Sequence, residues 1–272
     1  MTTLANQRDP TMHRVIAERL QRDHDEKVQF RSFAADYGIK SILDAYAVQK
    51  EYVARRQART NARPIGYKIG LTSPASQAMC GVANPMFGVM LSDGIFADQV
   101  EFVTSDFVRL GLEFEILFRL GKDLPRRDRP FTVDEVSESV DGTCLSIEVF
   151  DDRKCDYGKF DALSLIADNG WNVGVICGPF QKRPPDLAGI EGVVLTDGLE
   201  IARPIGRNCL GNPLNALAWL ANHLAESGMM LKAGDLVSTG TLVTPCYPSE
   251  PTRIDYRMDG LGQISCSVAV HG

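Results

Sequence analysis

The chain has 272 residues, of which 44% are hydrophobic and 24% are charged, a composition typical of a globular protein with a sizeable core. Its formal net charge of −6 at pH 7 excludes a basic field for binding nucleic acid or an anionic membrane surface. No apolar run approaches the ~20 residues of a membrane-spanning helix, so neither nucleic acid nor membrane is expected as a partner.

The N-terminal part is predicted to be helical and the remainder rich in strands. Apolar side chains recur at helical spacing over residues 15–20 and again over 42–53, with Gly38 as a breaker between them. We therefore divide the chain into an N-terminal helical segment (1–60) and a β-rich catalytic domain (61–272).

Short apolar runs separated by Gly, Pro and Asp predict a succession of strands in the second part. These runs are residues 65–71, 87–91, 112–120, 144–150, 172–178, 192–198, 235–241 and 263–270. One longer helix interrupts them, with Asn212 at the N-cap, Pro213 in the first turn and Gly228 just past the end. The pattern predicts an α+β fold with a mixed, β-rich core.

The segment GLEFEILFRL (111–120) places two glutamates inside an apolar run. Because alternate side chains of a strand share a face, Glu113 and Glu115 point to one side and the apolar residues to the other. Neighbouring carboxylates repel each other unless a proton or a cation lies between them. The spacing therefore indicates a metal site.

A third glutamate, Glu148, interrupts the apolar strand CLSIEVF (144–150) in the same way. Burying a carboxylate costs free energy unless it is paired, hydrogen-bonded or bound to a metal. Three glutamates converging on one cation would select a hard ion such as Mg²⁺, Mn²⁺ or Ca²⁺ rather than zinc. The alternative is that this face of the sheet is solvated and the glutamates point into water.

Lys68 lies in another predicted strand, IGYKIGL (65–71), with Gly66 and Gly70 on the same face. Glycines beside a lysine leave space where a ligand can approach. A lysine there would neutralise an anionic substrate or stabilise an enolate. The alternative is a charge on an exposed strand face.

Two turns carry further candidate site residues. DLVSTGT ends in Thr239, Gly240 and Thr241, whose hydroxyl and N–H groups suit a carboxylate. IADN places Asp168 and Asn169 just before a strand, where a turn-forming pair is the alternative to a binding site.

From about residue 40 to the C-terminus, the chain resembles the 2-keto-4-pentenoate hydratase, 2-oxohept-3-enedioate hydratase and 4-oxalocrotonate decarboxylase group of the fumarylacetoacetate hydrolase superfamily. The resemblance is carried by ordered segments: GYKIGLTS, NPMFGVMLSDG, LEFEILFRLGKDLP, SIEVFDDR, IADN and NPLNALAWLANHLAESG. It implies a mixed, highly twisted β-roll core with the N-terminal helices beside it. It also implies a homo-oligomer.

The resemblance assigns roles to matching residues. Glu113, Glu115 and Glu148 match ligands of a divalent metal, Mg²⁺ or Mn²⁺, and Lys68 matches the active-site lysine. Substrate contacts are implied for residues of the lysine segment and of the two turns: Thr72, Asp168, Asn169, Thr239, Gly240 and Thr241. One departure concerns Trp171, because hydratases often carry small residues after the Asp-Asn pair. A tryptophan lining the pocket would reshape the substrate site.

The implied activity is that of a metal-dependent hydratase of aromatic-compound catabolism. It adds water to a 2-hydroxy-2,4-dienoate, or its 2-oxo tautomer, and gives a 4-hydroxy-2-oxoacid. The alternatives are a 4-oxalocrotonate-type decarboxylase, a C–C bond hydrolase of a 2,4-dioxo acid, and a non-catalytic complex-forming paralogue. The hydrolases of the superfamily use a Glu–His dyad on an N-terminal lid, and neither His13 nor His24 lies in a motif that matches it.

Three arginines, Arg203, Arg207 and Arg253, are candidate partners for a second carboxylate on the substrate. His223 falls inside the long predicted helix and is expected to be a packed residue. The seven cysteines are scattered without a CxxC pair, which favours reduced thiols. Because the first residues also lack the apolar stretch of a signal peptide, a cytoplasmic location is expected.

Overall fold

The structure, a computed structural model, describes residues 10–184 and 186–270. Six α-helices lie in these ranges, and three of them are short. The helices are α1 (Pro10–Asp25), α2 (Ile42–Thr60), α3 (Pro74–Cys80), α4 (Val133–Ser137), α5 (Ala162–Ala167) and α6 (Pro213–Glu226). The predicted N-terminal helices are therefore α1 and α2, and the turns between them include Gly38 in the left-handed region, at φ 63°.

Twelve strands lie in the same described ranges. They are β1 (Pro64–Gly70), β2 (Met86–Leu91), β3 (Ile95–Phe96), β4 (Val100–Val103), β5 (Leu110–Leu120), β6 (Val140–Asp151), β7 (Asn172–Cys177), β8 (Gly192–Thr196), β9 (Leu199–Ala202), β10 (Leu236–Ser238), β11 (Thr252–Met258) and β12 (Gly262–Ala269). The eight predicted strands are present, whereas β3, β4, β9 and β11 were not predicted. Of these four, β11 shows a period-two alternation, since Ile254, Tyr256 and Met258 are buried between charged residues.

The strands form two mixed sheets. The larger has the order β2-β1-β10-β5-β6-β7-β3, and the smaller has the order β4-β12-β11-β8-β9. In the larger sheet, β1 and β10 are parallel, while the pairs β10–β5, β5–β6 and β6–β7 are antiparallel. The predicted α+β class with a mixed β core is confirmed.

An apolar layer joins the two sheets. Phe114 and Ile116 of β5 are fully buried in it, together with Ile254 and Tyr256 of β11. The rings of Phe114 and Tyr256 lie edge to face with their centroids 5.4 Å apart. Because this layer covers one face of β5, the other face is left to polar side chains.

The long helix α6 begins and ends as predicted. The Asn212 side chain accepts a hydrogen bond from the Leu214 N–H at 2.9 Å, and Pro213 occupies the first helical position. Just past the C-terminus, Gly228 adopts a φ of 75°, which few other residues tolerate.

The N-terminal helices bury a narrower face than predicted. Ile16 and Leu20 are buried, but Val15 and Ile42, which begin the predicted apolar stripes, are 49% and 42% exposed. The reason is that α1 and α2 pack onto a second core that includes Trp171 of the strand-rich part, and this core takes only one side of each helix. The boundary between helical segment and catalytic domain stays a prediction.

None of the helices in the described ranges is long and apolar enough to cross a bilayer. All seven cysteines lie in those ranges, and none of them forms a disulfide.

Two leucines on strands give a matched test of the core. Leu145 in β6 is fully buried, whereas Leu199 in β9 is 74% exposed. We expect Leu145→Ala to lower the free energy of unfolding by about 2–5 kcal/mol, because it leaves a cavity in the main core. Leu199→Ala should change it by less than about 0.5 kcal/mol. Urea denaturation measures both, and equal effects would contradict the described core.

Candidate metal and substrate site

Three glutamates meet on the polar face of β5 and β6. The antiparallel register of these strands sets Glu113 directly opposite Glu148, and Glu115 follows on the same face. One carboxylate oxygen from each of the three lies within 4.8 Å of the others. Glu115 and Glu148 are fully buried, so the alternative of a solvated sheet face is wrong for them.

In each of the two buried carboxylates, Glu115 and Glu148, one oxygen accepts hydrogen bonds from the protein and the other accepts none from the described residues. Glu115 Oε2 accepts the Gly240 N–H at 2.9 Å and the Ser238 hydroxyl, and Glu148 Oε1 accepts the Asn172 side-chain amide at 2.9 Å. Glu115 Oε1 and Glu148 Oε2 are buried and have no hydrogen-bond partner within the described part of the chain. An all-oxygen set with orphaned acceptors fits a hard divalent cation.

The acid–base behaviour of the cluster points the same way. Burial, and then the neighbouring Glu148 carboxylate, raise the pKa of Glu113 to about 7. Burial, Glu148 and Glu113 raise the pKa of Glu115 well above its ordinary value. Without a cation, the cluster therefore reduces its repulsion by holding protons, and a bound cation would take the place of those protons.

Lys68 of β1 lies beside the carboxylates and is almost fully buried. Its Nζ is 3.2 Å from Glu148 Oε1. Burial alone would lower the pKa of Lys68, but Glu148, Glu113 and Glu115 more than offset burial, and the pKa is raised above its ordinary value. Lys68 therefore keeps its proton at neutral pH.

Of the two glycines predicted to make room for Lys68, Gly70 does so and Gly66 does not. A Cβ on Gly70 would lie 3.7 Å from Lys68 Nζ. A Cβ on Gly66 would come 1.9 Å from the Leu236 carbonyl oxygen, because β10 fills the space on that side. Two further glycines, Gly88 and Gly170, also accommodate the lysine, because added Cβ atoms would lie 3.3 Å and 2.7 Å from Lys68 Cε. The sequence offers no signal for either, since both act through tertiary packing.

A cavity of about 760 Å³ opens over Lys68 and Glu113. Five predicted site residues line it: Lys68, Thr72, Glu113, Trp171 and Thr241. The remaining predicted residues are buried and absent from its lining: Glu115, Glu148, Asp168, Asn169, Thr239 and Gly240.

The strand-end segment after β10 supports the glutamates more than it lines the cavity. The Thr239 hydroxyl donates to the Ile116 carbonyl at 2.8 Å, so it is committed to β5. Gly240 has a φ of 100°, and a Cβ there would come 2.3 Å from Thr72 Oγ1. The carboxylate predicted for this turn is the side chain of Glu115, which receives the Gly240 N–H. Of Thr239, Gly240 and Thr241, only Thr241 borders the cavity.

Asp168 and Asn169 position the turn that follows them. Asp168 pairs with the buried Arg153 guanidinium and accepts a hydrogen bond from His24 Nε2 at 2.7 Å. The Asn169 side chain bonds both backbone groups of Val89 in β2, at 2.7 Å and 2.9 Å. Together these contacts hold the next two residues of the turn against Lys68 and the cavity.

Trp171 forms part of an aromatic wall. Its ring lies 5.1 Å from that of Phe30, 5.9 Å from Phe160 and 6.1 Å from Tyr157. Tyr157 was not predicted as a site residue, and neither was Tyr247, which also lines the cavity. Their hydroxyls are 2.7 Å apart, and the Tyr157 hydroxyl donates to the Asp152 carboxylate at 2.8 Å. The consecutive aspartates of the segment SIEVFDDR, Asp151 at the end of β6 and Asp152 after it, are the sequence feature nearest to this polar group.

The three histidines in the described part of the chain, His13, His24 and His223, do not line the cavity. His24 is hydrogen-bonded to Asp168, and His13 lies in α1. Neither appears among the described residues that line the cavity. His223 is packed, as predicted, with its ring stacked on Trp219 at 5.1 Å. Burial lowers the pKa of His223.

Comparison with known proteins agrees with the geometry. Residues 82–269 match the family described as Fumarylacetoacetate (FAA) hydrolase C-terminal. A 2-oxo-hept-4-ene-1,7-dioate hydratase from Escherichia coli is 32% identical over 267 residues, which are 95% of this chain and 98% of that protein. A 2-keto-4-pentenoate hydratase from Paraburkholderia phymatum is 33% identical over 225 residues, 82% of this chain and 84% of the relative.

Among solved structures, a 4-oxalocrotonate decarboxylase from Pseudomonas putida G7 in complex with magnesium and adipate has a TM-score of 0.89. It is 27% identical and covers 96% of this chain and 99% of its own. This likeness confirms the predicted fold type, and it shows that a close structural relative binds a divalent metal.

Metal binding can be tested by thermal unfolding. We expect a divalent cation to stabilise the protein by about 2.7 kcal/mol at a hundredfold excess over its Kd, because the cation binds the folded state. Glu115→Gln should abolish the rise in Tm, whereas Glu101→Gln, at an exposed position, should keep it. The scan is run with Mg²⁺, Mn²⁺ and Ca²⁺ after EDTA treatment. A full rise in Glu115→Gln would place the cation elsewhere.

The buried pair of Asp168 and Arg153 predicts a pH-dependent stability. Burial would raise the pKa of Asp168, but Arg153 and His24 more than offset burial and lower it. A depressed carboxyl pKa contributes stability above the unfolded pKa of about 3.9, and the contribution is lost as pH falls further. We expect Asp168→Asn to cost about 3–5 kcal/mol at pH 7, since it leaves Arg153 buried and unpaired.

The gap between native protein and Asp168→Asn should narrow below about pH 4 in urea titrations. Asp141→Asn is the matched control, because Asp141 pairs with Arg119 on the surface, where both side chains are 40% exposed or more. Its cost should stay below about 1 kcal/mol. A similar cost for both variants would show that the burial of the Asp168 pair has no energetic consequence.

Proposed function

Because the chain belongs to the fumarylacetoacetate hydrolase family, we propose that it is a metal-dependent hydratase of a 2-hydroxy-2,4-dienoate in aromatic-compound catabolism. The product is a 4-hydroxy-2-oxoacid. The observation that carries the proposal is the set of three carboxylates, two of which have a buried oxygen without a hydrogen-bond partner, next to a protonated lysine in a cavity. The two hydratase relatives support the same activity.

We propose Glu113, Glu115 and Glu148 as the ligands of Mg²⁺ or Mn²⁺. When bound, such a cation would supply Lewis acidity toward the carboxylate and C2 oxygens of a 2-oxo acid. The Asn172 side-chain amide donates to Glu148, and the Gly240 N–H donates to Glu115. These hydrogen bonds keep the carboxylates oriented toward one another.

Lys68 is the proposed catalytic residue. It is buried, protonated and the nearest positive charge to the carboxylates, so it stabilises negative charge that develops on the substrate C2 oxygen. It is also a proton donor during ketonisation of the dienol. Gly170 packs against its side chain and limits its motion, which favours a fixed position for the ammonium group.

The substrate tail is proposed to lie along the remaining wall. Thr72, Trp171 and Thr241 border the cavity, and the aromatic wall around Trp171 excludes water from one side. Asp168, Asn169, Thr239 and Gly240 act as positioning residues in this proposal, because their polar groups are bonded within the protein.

A decarboxylase is the second candidate, favoured by the TM-score of 0.89 with a 4-oxalocrotonate decarboxylase. It would use the same glutamates and lysine on a 2-oxo-3-enedioate and release CO₂. A C–C hydrolase has less support, since His24 is paired with Asp168 instead of a glutamate at the cavity. A homo-oligomer in the cytoplasm completes the proposal, supported by the family membership and the free thiols.

The activity can be followed by the ultraviolet absorbance of freshly generated 2-hydroxypenta-2,4-dienoate. We expect decay to 4-hydroxy-2-oxopentanoate with Mg²⁺ or Mn²⁺ and none with EDTA. Lys68→Met should lower kcat by about 100-fold or more, because a buried proton donor and positive charge are lost. Lys182→Met, at an exposed position, should leave the rate unchanged.

Product analysis separates the candidates. Release of CO₂ from a 2-oxo-3-enedioate without hydration of the diene would favour the decarboxylase. Lack of turnover with every metal, together with lack of bound divalent ion, would favour the non-catalytic paralogue. Full activity in Lys68→Met would remove the lysine from the proposed mechanism.

A further inference from the structure

The proposed substrate cavity has positive charge at two places. Among the described residues that line it, Lys68 and Arg207 are the two cationic side chains, and Glu113 is the acidic one. Lys68 is buried beside the glutamates, whereas Arg207 is exposed. The second charge is therefore separate from the glutamate cluster and lies where the cavity lining is accessible to solvent.

The turn that carries Arg207 is held in place by hydrogen bonds to three other segments of the chain. The Arg207 N–H donates to the Ala188 carbonyl at 2.9 Å, and the Leu210 N–H donates to the Thr72 carbonyl at 3.1 Å. The Asn208 side chain donates to the Leu242 carbonyl at 2.8 Å. Since Thr72 and Leu242 both line the cavity, the turn is tied directly to its walls.

Gly206 adds to this constraint. A Cβ at that position would lie 1.7 Å from the Leu187 carbonyl oxygen, so no side chain is tolerated and the turn must pack closely there. The result is a rigid backbone that presents one long cationic side chain to the cavity. A charge held on a rigid backbone is well suited to ligand recognition.

The guanidinium of Arg207 has no carboxylate partner within the described residues, in contrast to the two other candidate arginines. Arg203 Nη2 pairs with Glu200 at 2.7 Å, and Arg253 Nη2 pairs with Asp255 at 3.0 Å. Neither of these two lines the cavity. Of the three candidate arginines, Arg207 is therefore the one that lines the cavity and that has no carboxylate partner among the described residues.

We propose that Arg207 binds the second carboxylate of a dicarboxylic substrate, so that the preferred substrates are 2-hydroxy-2,4-diene dioates. This inference rests on the proposed function, because the first carboxylate is assigned to the metal end of the cavity. A planar guanidinium binds a carboxylate through paired N–H groups. A cavity of about 760 Å³ has room for the longer substrate.

The test compares ligands that differ only in the second carboxylate. In the presence of Mg²⁺, isothermal titration gives the Kd of adipate and of hexanoate for the native protein, Arg207→Gln and Arg203→Gln. We expect Arg207→Gln to weaken adipate about tenfold and hexanoate about twofold or less, because one charge-assisted contact at an exposed site is lost. Arg203→Gln should match the native protein.

Turnover gives a second readout. The ratio of kcat/KM for 2-hydroxyhepta-2,4-diene-1,7-dioate to that for 2-hydroxypenta-2,4-dienoate should fall about tenfold in Arg207→Gln and stay unchanged in Arg203→Gln. An unchanged adipate Kd in Arg207→Gln, or an equal loss for adipate and hexanoate, would overturn the proposal. If the native protein hydrates neither diene, the proposed function fails, while the adipate titration still decides the role of Arg207.

Discussion

The site depends on the pairing of β5 with β6. This register sets Glu113 opposite Glu148, and it cannot slip by one residue without moving Phe114 and Ile116 out of the core between the sheets. The apolar layer therefore fixes the position of the carboxylates. Stability and function are coupled here, because the same alternation along β5 serves both faces.

The neighbouring strands show how the protein manages this concentration of negative charge. In the order β1-β10-β5-β6-β7, each strand contributes to one polar face. β1 brings Lys68, β10 brings the Ser238 hydroxyl to Glu115, and β7 begins with Asn172, which donates to Glu148. These groups satisfy one oxygen of each buried glutamate. The oxygens that remain without a partner mark the place proposed for a cation.

The parts of the site that follow from local pattern were predictable. The ExE spacing was sufficient to place Glu113 and Glu115 on one sheet face, since strand periodicity has only two sides. The convergence of Glu148 on them was a hypothesis, because it depends on the pairing of β5 with β6. Asn212 and Gly228 likewise fixed the ends of α6 through backbone chemistry alone. The short strands β3, β4 and β9 escaped prediction because two to four residues carry too little periodicity.

The parts that depend on tertiary contacts were not predictable. Gly170 packs against Lys68 from a turn that is distant in sequence. Gly66, which is only two residues from Lys68 along the chain, packs on β10. Asp168 and Asn169 were recognised as a conspicuous pair, but their partners His24 and Val89 lie far away along the chain. A single sequence contains no record of which charged residues meet.

These long-range partners connect the N-terminal helix α1 to the chemistry. His24, at the end of α1, bonds Asp168, and Asp168 begins the turn whose Gly170 packs on Lys68. The same turn presents Trp171, whose ring also contacts Phe30 in the segment between α1 and α2. The wall of the cavity is thus held from the N-terminal side by one hydrogen bond and one aromatic contact. Displacement of α1 would release the turn, and with it the fixed position of the lysine, without changing a described hydrogen bond of Glu113, Glu115 or Glu148.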